Sequence, residues 1–163
     1  MQVVSNTSPL SNLSIVGQLD LLRNRYGQVL IPEAVNRELA ALSHPVALER
    51  LSRAFRDDWL KVCPLSDSAL AREHEQRVDL GEAEAIALAE HLRADKLIID
   101  DRLGRELARE RGVAAAGILG ELLFAKAQGA LSSVGAIVDR LQSDARFYIR
   151  DDLREMILRQ AGE

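Results

Sequence analysis

The chain has 163 residues, a length that fits one domain able to bury a core without disulfides or a structural metal. Its single cysteine, Cys63, excludes an internal disulfide, and no apolar run approaches the roughly 18 residues that a membrane-spanning helix needs. The net charge of −4 argues against a general nucleic-acid coat protein, but it allows an enzyme whose carboxylates bind a metal. The N-terminus has no signal-peptide pattern, so we expect a cytoplasmic protein.

Short apolar runs alternate with amphipathic segments along the whole chain. The runs predict strands near residues 3–6, 29–31, 59–65, 96–99 and 113–115. The segments between and after them predict helices from about Pro9, with Ser8 as its cap, and over 20–26, 33–42, 46–55, 67–76, from 79, and over 102–111, 118–128, 132–141 and 150–160. Residues 147–149 are either a short strand or an extended link. This alternation predicts an α/β layer fold with a parallel sheet.

Two carboxylates follow Asp79 at the start of one predicted helix. Asp79 and Glu82 have the spacing of a capping box, so helix capping alone explains Glu82. Glu84 lies one turn before Leu88 on the apolar stripe of the same helix. At 3.6 residues per turn Glu82 and Glu84 lie about 200° apart around the axis. Because first-turn side chains lean toward the N-terminus, both can still approach a site beyond the helix start.

Asp100 and Asp101 follow the apolar run 96–99, which indicates a central parallel strand. Open parallel sheets bind ligands at the carboxyl ends of their strands. Successive residues of a strand point to opposite sides. We therefore expect one aspartate to face a site and the other to cap the helix that starts at Arg102.

Glu38 lies on the apolar stripe of its predicted helix, together with Val35, Leu39 and Leu42. A carboxylate on an inward face is costly unless it is paired or binds a metal. The commoner explanation for such a spacing is an edge position at which the carboxylate reaches water. The spacing alone leaves both explanations open.

Six side chains with oxygen donors are predicted at strand ends or early in helices: Asn6, Glu38, Glu82, Glu84, Asp100 and Asp101. Oxygen is the ligand that Mg²⁺ prefers, and a carboxylate cluster can hold one such ion or two about 3.5–4 Å apart. The sequence has no histidine and cysteine set for zinc, no glycine-rich phosphate loop and no nucleophile elbow. Metal-assisted phosphodiester hydrolysis remains, beside the alternative that these residues are only caps and solvated charges.

Five stretches carry a resemblance to a known family: 3–10, 31–39, 81–86, 99–105 and 117–126. Together they resemble PIN-domain proteins, in particular a subgroup of unknown function related to the VapC-type toxin ribonucleases of toxin–antitoxin systems. The resemblance covers nearly the whole chain. It implies a PIN-like three-layer fold with a central, mainly parallel sheet flanked by helices. It also implies one domain over 1–163, with a C-terminal helical extension from about 132.

The resemblance further implies a ribonuclease that depends on Mg²⁺ or Mn²⁺. Its partners would be RNA, a small antitoxin protein and a second copy of the chain in a homodimer, with no membrane. The implied catalytic residues are Glu38, Glu84 and Asp101, and the implied metal ligands are Asn6, Glu38, Glu82, Glu84, Asp100 and Asp101. The implied substrate-binding residues are Thr7, Ser8, Arg102 and Arg105. Thr7 or Ser8 would lie near the metal through a hydroxyl, and the two arginines would meet the RNA backbone unless they form only a solvated helix face.

Asn6 departs from the family pattern, because it falls where the first-strand aspartate of PIN domains lies. An amide oxygen can bind a hard cation, but it brings no negative charge. This departure motivates a second hypothesis, in which the chain is a weakened or non-catalytic module of the same fold that binds RNA or protein.

Overall fold

The computed structural model describes all residues from 1 to 163. The strands are β1 (Val3–Ser5), β2 (Val29–Ile31), β3 (Leu60–Val62), β4 (Lys96–Ile98) and β5 (Ala115–Ala116). The helices are α1 (Thr7–Ile15), α2 (Asp20–Tyr26), α3 (Glu33–Ala40), α4 (Pro45–Arg56), α5 (Ala69–His74), α6 (Leu80–Leu92), α7 (Arg102–Glu110), α8 (Ile118–Ala127), α9 (Val134–Asp144) and α10 (Asp151–Gln160). None of them combines the length and the apolar character that crossing a membrane requires.

The five strands form one sheet in the order β3-β2-β1-β4-β5, and every neighbouring pair is parallel. In the central strand, Val4 pairs with Leu30 on one side and with Leu97 on the other. All three residues of β1 are buried, as expected for a strand covered on both faces. The predicted α/β fold with a central parallel sheet flanked by helices is therefore confirmed.

The strand order changes direction between β1 and β4. The chain moves outward from β1 to β2 and β3, and then returns to the opposite side of β1 to form β4 and β5. Such a switch point leaves a crevice at the carboxyl ends of the two strands, which is where open α/β sheets bind ligands.

Helix α6 packs beside this crevice. Its residues 85–89 are all buried, and the helix contacts β1, β4, α3 and α5. A helix that is apolar on all sides belongs inside a protein. The core of 35 buried residues, mostly aliphatic, therefore holds α6 firmly, with its acidic N-terminus at the edge of the sheet.

Several predicted boundaries are wrong. Helix α1 begins at Thr7 with Asn6 in the N-cap position, so Ser8 is not the cap. Pro9 fits the third helical position, because the N–H groups of a first turn have no helical partner in any case. The last strand begins at Ala115 and not at Val113, whose N–H closes the end of α7 on the carbonyl of Ala108. Residues 147–149 form the extended link, the second predicted alternative.

Candidate metal centre

The candidate centre lies in the crevice where β1 and β4 end. Asn6 directly follows β1, and its backbone N–H donates to the carbonyl oxygen of Ile98 at 2.9 Å. Asp100 and Asp101 follow β4 along the chain. Helices α3 and α6 pack against each other and carry Glu38 and Glu82. The fold therefore gathers acidic residues from distant parts of the sequence around one strand end.

Asn6 is 4% exposed, and its side-chain oxygen Oδ1 has no hydrogen-bond partner. A buried polar atom without a partner costs on the order of 1–3 kcal/mol. Native structures rarely keep such an atom unless a ligand, an ion or a water satisfies it. The Asn6 oxygen is therefore suited to contact a ligand in the crevice.

The carboxylate of Glu38 is held by groups from two other elements. The hydroxyl of Thr7, at the start of α1, donates to its Oε2. Gly81, in the first turn of α6, lies so close that a Cβ atom there would be 2.5 Å from Oε1 of Glu38. The lack of a side chain at Gly81 therefore lets the Glu38 carboxylate rest against the start of α6.

Glu82 forms the predicted capping box. Its backbone N–H donates to Asp79 Oδ1 at 2.9 Å, and its Oε2 accepts from the backbone N–H of Asp79 at 3.3 Å. Burial, together with the negative charges of Asp79, Asp101 and Glu38, raises the pKa of Glu82 to about 7, against the hydrogen bond from Asp79. The capping carboxylate is therefore also surrounded by like charges that a cation would neutralise.

The two consecutive aspartates cap two different helices. Asp101 Oδ2 accepts from the backbone N–H of Gly104 at 2.9 Å and so caps α7. Asp100 Oδ1 accepts from the backbone N–H of Ile118 at 2.8 Å, at the start of α8. Asp101 therefore caps the following helix, as predicted for one of the two aspartates, and its charge also reaches Glu82.

Asp100 has a second oxygen, Oδ2, that is buried without a hydrogen-bond partner. Burial raises the pKa of Asp100 to about 6, against the hydrogen bond from Ile118 and the charge of Arg105. The charge of Asp100 is not among those that shift the pKa of Glu82. Asp100 is therefore turned toward α8.

Glu84 reaches a different helix start. Its Oε2 accepts from the backbone N–H of Ala34 at 2.8 Å, in the first turn of α3, where the N-cap residue Pro32 offers no side-chain acceptor. Glu82 and Glu84 thus point to different places, as their separation around the helix predicts. The carboxylate of Glu84 caps α3. Its role as a catalytic residue and metal ligand stays a prediction.

The four residues predicted around the metal and the RNA divide into two pairs. Thr7 contacts Glu38, and Arg105 Nη1 donates to the backbone carbonyl of Asp100. Ser8 is exposed, and the side chain of Arg102 is 75% exposed and pairs with Glu106 at 3.0 Å. Only the first pair touches a predicted site residue.

Gly81 is the site residue that sequence reasoning missed. Glycine inside a helix is less favourable than alanine by roughly 1 kcal/mol, so its place directly before Glu82 was a signal of close approach. The residue that it approaches, Glu38, is 43 positions earlier and cannot be found from local spacing.

The oxygen atoms of the candidate ligands suit a hard cation, but the side chains are too far apart to coordinate one as they stand. Asn6, Glu38, Glu82 and Asp101 offer only oxygen atoms, which suit Mg²⁺ or Mn²⁺. No three His, Cys, Asp or Glu side chains lie close enough to hold an ion as they stand.

Comparison with known proteins agrees with this architecture. The model of the family DUF3368, described as a PIN domain, matches residues 2–163. A solved structure of a PilT N-terminus domain protein from the hyperthermophilic archaeon Sulfolobus solfataricus P2 is similar, with 19% identity and a TM-score of 0.50 over 92% of this chain and 98% of that one. No curated protein matches the sequence. Since the family model spans almost every residue, the chain belongs to the PIN domain family DUF3368.

Proposed function

We propose that the protein is a ribonuclease that hydrolyses phosphodiester bonds with the help of Mg²⁺ or Mn²⁺. PIN domains are generally nucleases that need a divalent metal. The observation that supports the proposal most directly is the grouping at the switch point, where the unpartnered oxygen of Asn6 lies at the end of β1 and the charges of Asp101 and Glu38 add to burial in raising the pKa of Glu82.

These four residues would hold the ion, and Thr7 would keep the Glu38 carboxylate turned toward it. A bound ion of this kind polarises the phosphodiester, activates a water and neutralises the leaving oxygen. Glu82 must lose its proton before it binds a cation, which its pKa of about 7 permits near neutral pH. Arg105, whose Nη1 donates to the backbone carbonyl of Asp100, would contact the RNA backbone.

Glu84 and Asp100 remain in the proposal as further ligands. Each uses one carboxylate oxygen for a backbone N–H group, so the other oxygen is available. We expect Glu84→Gln to reduce activity less than Glu38→Gln does, because a glutamine oxygen still caps α3.

The direct test measures cleavage of a single-stranded oligoribonucleotide with Mg²⁺, with Mn²⁺ and with a chelator. We expect metal-dependent cleavage that falls on the order of 100-fold or more in Glu38→Gln and in Asp101→Asn. Asparagine is as good an N-cap as aspartate, so Asp101→Asn should keep α7 intact. Glu110→Gln, at an exposed pair with Arg77, is the matched control and should cleave like the wild type.

The proposal is wrong if the wild type cleaves no RNA with either ion and neither ion changes its melting temperature. An unchanged cleavage rate in Glu38→Gln and Asp101→Asn would equally exclude this centre as the active site.

A second candidate function is a non-catalytic module that binds RNA or protein. The neutral Asn6 favours it, as does the spacing of the carboxylates, no three of which can hold an ion as they stand. Wild-type protein that binds RNA without cleaving it, and that gains cleavage in Asn6→Asp, would favour this candidate.

We also propose the biological setting that the resemblance implies: a toxin that acts in the cytoplasm, forms a homodimer and is restrained by a small antitoxin. Expression of the wild type should arrest growth, and Glu38→Gln should not. Light scattering of the purified protein should give twice the mass of one chain. Growth arrest that persists in Glu38→Gln would separate toxicity from this active site.

A further inference from the structure

A second cleft opens beside the candidate metal centre, between the starts of α8 and α10. Its volume is about 300 Å³, and we call it the Tyr148 cleft. The residues that line it include Asp100, Arg105, Gly117, Gly120, Phe147 and Tyr148. Asp100 and Arg105 have roles in the proposed nuclease, as a further ligand and as a contact to the RNA backbone, but neither role uses the cleft as a binding site for a base.

Tyr148 gives the cleft an accessible aromatic wall. Its side chain is 81% exposed, more than any other large hydrophobic residue of the chain, and it lies in the extended link before α10. The preceding residue, Phe147, packs against the core and anchors this link. An anchored, exposed aromatic ring is the kind of surface on which single-stranded nucleic acids stack their bases.

Asp100, one of the lining residues, carries an unsatisfied acceptor. Its Oδ1 is fixed by the backbone N–H of Ile118, while Oδ2 is buried without a donor. A buried carboxylate oxygen without a partner is satisfied when a ligand brings an N–H group to it. A Cβ at Gly117 would be 2.8 Å from Oδ1 of Asp100, so the absence of a side chain there lets the Asp100 carboxylate rest against the start of α8.

The chain itself connects this cleft to the metal centre. Asp100 lines the cleft, and the next residue, Asp101, belongs to the acidic cluster. Consecutive Cα atoms are about 3.8 Å apart, so the cleft and the acidic cluster adjoin along the backbone. Arg105, which donates to the carbonyl oxygen of Asp100, stands at the cleft wall as a cation for the phosphate between them.

We propose that the Tyr148 cleft binds one base of a single-stranded RNA, next to the phosphate at the metal centre. This inference rests on the proposed function, because it names a recognition site for that substrate. The ring of Tyr148 stacks on the base, and the carboxylate of Asp100 accepts N–H groups from the base edge. Guanine presents two adjacent N–H donors on that edge and the other bases present fewer, so the cleft favours guanine.

The test measures binding in a chelator, where no cleavage occurs. The probes are four fluorescent uridine pentamers with guanosine, adenosine, cytidine or uridine at the centre. We expect the guanosine pentamer to bind about tenfold more tightly than the uridine pentamer. Tyr148→Ala should weaken the guanosine complex about tenfold. Tyr148→Phe keeps the aromatic ring and should bind the guanosine pentamer like the wild type. Asp100→Asn, which can still accept from Ile118, should remove the guanine preference.

Met156→Ala is the control, because Met156 is exposed on α10 and does not line the cleft. Equal binding of all four pentamers, or unchanged binding in Tyr148→Ala, overturns the proposal. So does a Tyr148→Ala variant that binds RNA normally but loses a self-association that the wild type shows, since the cleft would then receive a second copy of the chain. If the guanosine pentamer binds selectively but is not cleaved when Mg²⁺ or Mn²⁺ is present, the base-binding cleft is supported and only the proposed nuclease activity is excluded.

Discussion

Glu82 and Glu163 both accept hydrogen bonds at the start of a helix, yet their carboxyl groups titrate at opposite extremes. Hydrogen bonds from the backbone N–H groups of Gly135 and Val134, followed by Ser133 and Lys126, lower the pKa of Glu163 to about 2. Burial and neighbouring carboxylates raise the pKa of Glu82 to about 7. The same type of side chain therefore meets hydrogen-bond donors at the start of α9 and like charges at the start of α6.

This difference separates structural carboxylates from candidate functional ones. Donors around a carboxylate stabilise the fold and leave it nothing further to bind. Carboxylates around a carboxylate store repulsion, which a proton or a cation relieves. Glu163 represents the first case, and Glu82 with Glu38 and Asp101 represents the second.

The strongest way to disturb the second group without touching its carboxylates is Gly81→Ala. The new Cβ would lie within 2.5 Å of the Glu38 carboxylate, whose flexible end can move away. A displacement of about 1 Å at an active site can cost on the order of 100-fold in rate, and we expect a loss of that size. Because alanine favours a helix, the melting temperature should not fall. Cleavage assays and thermal unfolding measure the two effects.

The control for Gly81→Ala is the same change in the Glu38→Gln background. If Gly81 acts by positioning Glu38, the double variant should be no less active than Glu38→Gln alone. Additive losses would mean that Gly81 acts on α6 itself or on another residue.

Asn6→Asp should add one negative charge to the candidate metal centre. The new carboxylate is buried at the end of β1 without a partner, so without metal we expect a lower melting temperature. With metal, the added charge should tighten Mn²⁺ binding on the order of tenfold. Titration calorimetry measures the affinity, and Asn12→Asp, on the same helix α1, controls for the added charge. An unchanged Mn²⁺ affinity in Asn6→Asp would place Asn6 outside the ligand set.

The pH dependence tests the repulsion around Glu82. Because its pKa is raised to about 7 in the folded state, the fold binds this proton more tightly than the unfolded chain does, and stability falls as pH rises from about 4.5 to 7. A cation competes with the proton, so the increase in melting temperature caused by Mn²⁺ should grow over the same range, by a few degrees. Glu82→Gln should flatten both trends. A Mn²⁺ effect that is equal at pH 5 and pH 8 would contradict this assignment.

The sequence carried enough information for the sheet, because buried parallel strands such as Val29–Ile31 are continuous apolar runs. It also carried the capping box of Asp79 and Glu82, since that motif depends on local spacing. It misplaced the start of α1, because a proline is acceptable anywhere in a first turn and does not fix the N-cap.

The directions of individual carboxylates depend on contacts between distant residues, which local spacing does not contain. Glu84 meets the start of α3 and Asp100 meets the start of α8, at sequence separations of 50 and 18 residues. Helical and strand periodicity gives the face of an element but not its neighbour. The sequence could therefore name the acidic set but could not separate helix caps from the cluster.

Glu163→Gln should have the smallest effect and should leave activity intact, because Glu163 joins α9 to the C-terminal residues far from the crevice along the chain. Its carboxylate accepts from Val134 at 2.7 Å and from Gly135 at 2.9 Å, and a neutral amide accepts such bonds more weakly. Since the pKa is lowered from 4.5 to about 2, its stabilisation is present above pH 4.5 and disappears as pH falls toward 2. The melting temperature of Glu163→Gln should thus lie a few degrees below that of the wild type at pH 7, and the difference should vanish near pH 2. Loss of RNA cleavage in this variant would show that the surroundings of Glu163 and the acidic cluster around Glu82 are coupled.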